Sequence, residues 1–387
     1  MARFPLRIAA AAGLAAIGAG MSLSVASASG ATGHVYVDDN TAGVNTIAGF
    51  DRHADGSLTP IPGSPFKAGG AGTGTIVGSQ GALQQGDGGR YLFAVDAGSN
   101  QISVLRVRHD GTLAQVEGSP VWSGGIEPVS LAVHGDLVYV ANEGNGTTGS
   151  NYTGFRFDDG RLRPIEGSTV TLPSTANPGD ILFNSTGTHL VGIEVGTTAA
   201  STFRIDSFLV DRSGRLDGAP GSPFPAQAAG PFGSEFSPTS PSHLYVSNAH
   251  GGAGAGSVSA FRVARNGALS SIGASPYADD QTAPCWVEIS HDGRYLFTVN
   301  TASTTISSYG IRSDGSLSLI GSTPFSSGPG IRPFDARLDP SGGHLYVVDA
   351  TLGAVSAFAV SGGSLSELSS SPFTLPAGAT PFGIVAD

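Results

Sequence analysis

The chain has one cysteine, Cys285, and one lysine, Lys67, among 387 residues. A single thiol excludes any intramolecular disulfide, so the fold must be stable through burial alone. Charged residues make up only 13% of the chain, and no basic run occurs. With 30 acidic against 19 basic residues the net charge is −11. That balance excludes an electrostatic footprint for nucleic acid or anionic lipid. No stretch carries convincing helical periodicity. Beyond the first 28 residues no apolar run is long enough to span a membrane. No two histidines stand at H-E-x-x-H or comparable metal-ligand spacing.

The first residues are of another kind. Arg3 and Arg7 precede a small-residue apolar stretch at 8–25, and Ala26-Ser27-Ala28 follows as an A-x-A site. This pattern predicts a signal peptide over 1–28, cleaved before Ser29, and hence a secreted or extracytoplasmic protein. The remaining domain, 29–387, would carry a net charge of −13 once Arg3 and Arg7 are removed from the total of −11.

What the chain has in abundance is glycine, 58 residues, spaced between short β-type runs. The string SHDGRYLFTVN at 290–300 returns in altered form at 86–96 and 339–349. Its central residue recurs as Tyr36, Phe93, Tyr139, Val191, Tyr245, Phe297 and Tyr346, at intervals of 46 to 57 residues. A short polar residue follows three positions later in each unit: Asp39, Asp96, Asn142, Glu194, Asn248, Asn300 and Asp349. Then comes an alternating run, a two-residue turn such as Asp55-Gly56 or Asn266-Gly267, and a leucine two residues after the glycine. Such pairs accept the positive φ angles of tight hairpins. Most units continue to a GSPF-like string, and a proline then opens a further short strand, as in PFGSEF at 231–236.

Four short strands per unit, seven times over, predict an all-β fold: a seven-bladed β-propeller of four-stranded blades. The first unit lacks its own innermost strand, and the chain ends on PFGIVAD. The C-terminal strand is therefore expected to close the first blade. The repeated residues are architecture, and function belongs where units differ.

The Asp-Gly-x-Leu turns, the GSPF strings and the [DP]-x-G-[RH]-x-L-[YF]-V strand starts resemble the seven-bladed lactonase family, with its 6-phosphogluconolactonase-like and carboxymuconate-cyclase-like members. They are also similar to YVTN-type propeller repeats. The resemblance extends over 31–387 and implies the propeller fold and a hydrolase acting at the mouth of the central funnel. It further implies His, Arg and Glu there, in motifs resembling G-P-R-H and P-H-x-H. At those positions this chain has Pro231-Phe232-Gly233, Pro128-Val129-Ser130 and Pro333-Phe334-Asp335; an Asn142-Glu143 pair does match.

In a propeller, the loops from outermost to next innermost strand share the mouth face with those from second to third strand. Of nine histidines only His250 is expected there. Expected mouth carboxylates are Glu127, Glu143, Asp180, Asp335, Asp279 and Asp280; expected cations are Arg332 and Arg204. A lactonase reading takes Glu143 or His250 as general base and Arg332 as oxyanion partner. Asp180, Asp335, Glu127 and Arg204 would contact substrate. Oxygen ligands converging on the axis would suit a divalent cation; alternatively, the second-strand Asp/Asn/Glu series closes strands by bonding nearby backbone. No other cofactor is implied. Cys285 beside Trp286 reads as a core residue. Two functions stay open: a lactone hydrolase, or a non-catalytic extracellular propeller that binds a small-molecule ligand or a surface protein. A monomer is expected.

Overall fold

The computed structural model describes residues 30–387; the leader expected at 1–28 lies outside the described residues. Seven antiparallel sheets follow one another, and in six of them the strands are ordered from innermost to outermost as the chain runs. The innermost strands are Leu83–Gly86, Pro128–His134, Pro178–Phe183, Pro231–Phe236, Pro284–Ile289 and Pro333–Leu338 in blades 2 to 7. Blade 1 takes its innermost strand from the C-terminus: Gly383–Ala386 pairs with Gly33–Asp38, Val35 opposite Ala386 and Asp38 opposite Gly383. The only helices among the described residues are two 3-10 turns, Ala97–Ser99 and Ala200–Thr202. None is long and apolar enough to cross a membrane.

The repeated residues now have physical causes. The hydroxyl of the central tyrosine bonds the turn glycine carbonyl of the next blade: Tyr36 to Gly111 at 2.8 Å, Tyr139 to Gly214 at 2.7 Å, Tyr245 to Gly315 at 3.0 Å. Tyr346 closes the ring in the same way, donating to Gly56 of blade 1 at 3.0 Å. Where the central residue is Val191, Ser207 makes the equivalent bond to Gly267 at 2.7 Å.

The GSPF string interrupts the outermost strand. Leu113–Gln115 and Val121–Trp122 both pair with Gln101–Val107, and the break between them leaves one ladder N–H without a carbonyl. Ser119 supplies the missing acceptor: its Oγ takes the Val104 N–H at 2.7 Å. Ser64, Ser222, Ser275 and Ser371 do the same for Gly49, Ser207, Ala260 and Ala357. Blade 6 has Ser-Thr-Pro instead, and its outermost strand Leu317–Pro324 runs unbroken.

The Asp/Asn/Glu series at the second-strand ends is likewise structural. Asp96 accepts from Ser103 at 2.6 Å, Asn142 donates to Asn151 at 3.0 Å, and Asn300 donates to Ser307 at 2.8 Å. These side chains are buried. Each ties the second strand to the third.

Candidate active site at the propeller axis

The innermost strands leave their inner edges unpaired, so their backbone groups need partners. A loop supplies them. The long connection from blade 1 to blade 2 turns inward at 77–81, and Ser79, Gln80 and Gly81 bridge the innermost strands of blades 3 to 7. Ser79 Oγ donates to Val129 O at 2.7 Å, and Ser79 O accepts from Trp286 Nε1 at 2.7 Å. Gln80 N donates to Gly179 O at 3.0 Å, and Gly81 O accepts from Leu131 N at 2.9 Å. The Gln80 side chain reaches blades 5 and 6: Nε2 donates to Ser234 O at 2.8 Å and Val287 O at 3.2 Å, while Oε1 accepts from Val287 N at 2.9 Å. Gly233 makes room for it, since a Cβ there would lie 2.2 Å from Gln80 Oε1. The segment crosses the axis as a plug on the mouth side.

Around the plug pack Phe232, Trp286 and Phe334, with Trp286 stacked on Phe334 at 4.6 Å and edge-on to Phe232 at 5.2 Å. At the positions where the family resemblance implies catalytic His and Arg, the side chains of Val129, Phe232 and Phe334 are buried. Cys285 is part of the same core; burial pushes its thiol up to about 12, away from nucleophile chemistry.

Beyond the plug lies a cavity of about 150 Å³, lined among others by Gln80, Gln84, Asp180, Ser234, Glu235 and Arg337. Val133 and Phe183 border it towards the opposite face. Arg337 is the charge centre. Its Nη1 bonds Glu288 Oε2 at 3.1 Å, while its Nε is buried without any hydrogen-bond partner. Glu288, Asp335, Glu235 and Asp180 surround it closely enough to raise its pKa against the effect of burial. Burial pushes the carboxyls up as well. Asp180 and Asp335 rise to about 7, Glu235 well above its ordinary value, and Glu288 in the same direction although Arg337 opposes it. Asp180 is anchored by Ser234, whose N and Oγ donate to its Oδ2 at 2.9 and 2.6 Å. Asp335 accepts from Gly81 N at 3.2 Å, which ties it to the plug.

Of the residues expected at the site, Asp180 and Asp335 belong to this axial cluster. Glu127 and Glu143 form a separate half-buried pair on blade 3, joined through Glu143 N donating to Glu127 O at 2.8 Å. Burial, with Glu127 beside it, holds Glu143 at about 7. His250 is exposed on blade 5, its pKa lowered by partial burial. Arg332 is exposed at the start of blade 7. Arg204 opens the strand Arg204–Val210 of blade 4, beside a hollow of about 390 Å³ that Glu194 and Asp206 also line. Among the described residues no hydrogen bond or ion pair joins Arg332, Glu143 and His250. No three His, Cys, Asp or Glu side chains there are grouped to hold a metal ion.

Gln80, Glu235, Glu288 and Arg337 were not singled out from the sequence, yet a signal for three of them exists. Glu235, Glu288 and Arg337 occupy the fifth position counted from the proline that opens each innermost strand. Blades 3 and 4 carry Ala132 and Leu182 there, and the C-terminal strand carries Val385. Charge at that position in three adjacent blades is a difference between units.

The raised carboxyls fix the sign of one pH effect. Between the unfolded carboxyl range near pH 4 and the folded values near 7, the folded state binds more protons, so stability falls as pH rises through that window. Asp55, Asp110, Asp211, Asp292, Asp314 and Asp339 are shifted down and act oppositely, losing their contribution only below about pH 4. The melting temperature is therefore expected to peak near pH 5 and to stand about 5 °C lower at pH 8. A calorimetric series from pH 3.5 to 8.5 checks this; a maximum at pH 7 or above contradicts it.

Fold and site together define a closed propeller with an acidic, plugged axis. Residues 236–383 match the family described as Lactonase, 7-bladed beta-propeller. The chain's fold is that of a putative 6-phosphogluconolactonase from Bacteroides fragilis, at 19% identity over 92% of this chain and 98% of that one, TM-score 0.72. A putative 6-phosphogluconolactonase from Bacteroides uniformis gives 18%, 92%, 99% and 0.73. The periplasmic gluconolactonase of Pseudomonas aeruginosa gives 18%, 92%, 98% and 0.69. No curated protein matches the chain.

Proposed function

We propose that the protein is a lactone hydrolase working in the axial cavity. The observation that carries this reading is the buried, unpartnered Nε–H of Arg337 in a cavity that Glu235 also lines. A lactone carbonyl oxygen seated on that N–H would be polarised and, on attack, stabilised as an oxyanion. The Glu235 carboxylate takes a proton from water as the water oxygen bonds the carbonyl carbon. Collapse of the tetrahedral intermediate breaks the bond to the ring oxygen, which leaves with the proton held by Glu235. The product is the open hydroxy acid, whose ionisation releases one proton to solvent. The cavity is smaller than the roughly 300–1,000 Å³ of ordinary ligand pockets, which suits a single ring. The family match and the gluconolactonase among its fold relatives support the same chemistry. The 1–28 leader pattern supports an exported location.

Proton release from a panel of sugar and muconolactone-type lactones, with and without chelator, tests the proposal. Glu235→Gln is expected to lower kcat by about 10²–10⁴-fold. Because Glu235 must be ionised to act and its pKa is raised, kcat/KM should climb with pH well above the ordinary carboxyl range. A second reading keeps the reaction at the mouth, with Glu143 as base; what favours it is Glu143 poised at about 7. Loss of turnover in Glu143→Gln but not in Glu235→Gln would select that reading. Absence of turnover on every lactone would leave a ligand- or protein-binding propeller.

A further inference from the structure

Resting on the axial site just proposed, we infer that its substrate is a lactone without a phosphate group or other negative charge. A phosphate needs a seat of several converging donors, commonly paired guanidinium or ammonium groups or the N-terminus of a helix. The axial cavity has one guanidinium, already bonded to Glu288 and surrounded by Asp335, Glu235 and Asp180. A larger hollow of about 550 Å³ shares Val133 with the axial cavity and lies on the face away from the mouth. It is lined by Asp87, Asp136, Asp158 and Asp159. No arginine or lysine is among its lining residues, although His134 is; around it Arg90 pairs with Asp87, Arg156 with Asp136 at 2.6 Å, and Arg106 faces Asp159 at 3.8 Å. Both the cavity and the hollow beside it therefore repel an anion. An uncharged ring meets no such barrier, and its hydroxyls find acceptors in the Asp180 and Glu235 carboxyls and partners in Ser234 and the side-chain amide of Gln84.

The test compares glucono-δ-lactone with its 6-phosphate under one proton-release assay at pH 7.5. The neutral lactone is expected to exceed the phosphorylated one in kcat/KM by at least about 100-fold. Raising salt from 20 to 500 mM should increase kcat/KM for the phosphorylated lactone and leave the neutral one unchanged, because screening weakens repulsion only where charge is present. Equal or faster turnover of the phosphorylated lactone overturns the inference. If neither lactone is hydrolysed, the hydrolase reading fails, and binding then decides the charge preference by itself. The probes are 1,5-anhydroglucitol and its 6-phosphate, which have the ring but no reactive carbonyl. Tighter binding of the neutral ring upholds the inference; tighter binding of the phosphate overturns it.

Discussion

Deleting residues 382–387 is expected to abolish the cooperative fold of the whole chain. The segment is short, but it is the innermost strand of blade 1. Phe382 and Ile384 are fully buried and Val385 nearly so. Burying three such side chains contributes about 5–8 kcal/mol, and the ladder to Gly33–Asp38 adds about 1 kcal/mol per bond. That sum is of the order of a domain's entire net stability. The same deletion removes Asp387, whose carbonyl accepts from Arg52 Nη2 at 2.7 Å and whose carboxylate meets His34. Arg52 in turn holds Asp339 of blade 7 at 3.2 Å, so the lost strand also loosens the seam between last and first blades. Ile384→Asp, which keeps the chain length, should act in the same direction. Circular dichroism melts and size exclusion decide the matter: a truncated chain that melts cooperatively within 5 °C of the parent would show that the ring closes without this strand.

Replacing Arg337 with methionine is expected to cost about 3–5 kcal/mol at pH 8, because it leaves buried carboxylates without their cation. Glu288 is only 5% exposed and loses its partner at 3.1 Å. The loss should shrink towards pH 5. Asp180 and Asp335 rise to about 7 even with Arg337 present, and without it they and Glu235 would hold their protons to still higher pH. Stability of the variant should thus decline with pH more steeply than that of the parent. Arg337→Lys keeps the charge but not the Nε–H donor, so it should retain most of the stability while losing turnover. Denaturant titrations at pH 5 and pH 8, with lactone turnover measured alongside, separate these roles. A pH-independent loss in Arg337→Met would refute the electrostatic account of the cluster.

Period and punctuation determined the architecture from sequence alone. Seven recurrences of a strand–turn–strand unit admit few folds, because each four-stranded sheet must bury both faces against its neighbours. The missing innermost strand of the first unit and the surplus PFGIVAD at the end matched each other, and the structure joins them. The tyrosine hydroxyls and the GSPF serines were visible as repeats, although their partners one blade away or fifteen residues back along a strand were not.

The axial site was legible only in part. Asp180 and Asp335 stood out because they are not shared by all units. Glu235, Glu288 and Arg337 sit in the short strands PFGSEF, PCWVEI and PFDARL, the last of which also carries Asp335. Nothing local says that strands some 50 residues apart bring those three charges to one axis. Gln80 was less legible still: the glycine-rich stretch at 69–78 before it reads as a loop without chemistry. What makes it a plug is the ring of unpaired inner edges, which exists only once seven blades have closed around it. The sequence by itself determined the repeat, the strand order and the closure, since these follow from local turn chemistry and alternation. Only the tertiary structure decided which face of the channel is open and which charges share one low-dielectric space, because both depend on radial convergence that no linear spacing records.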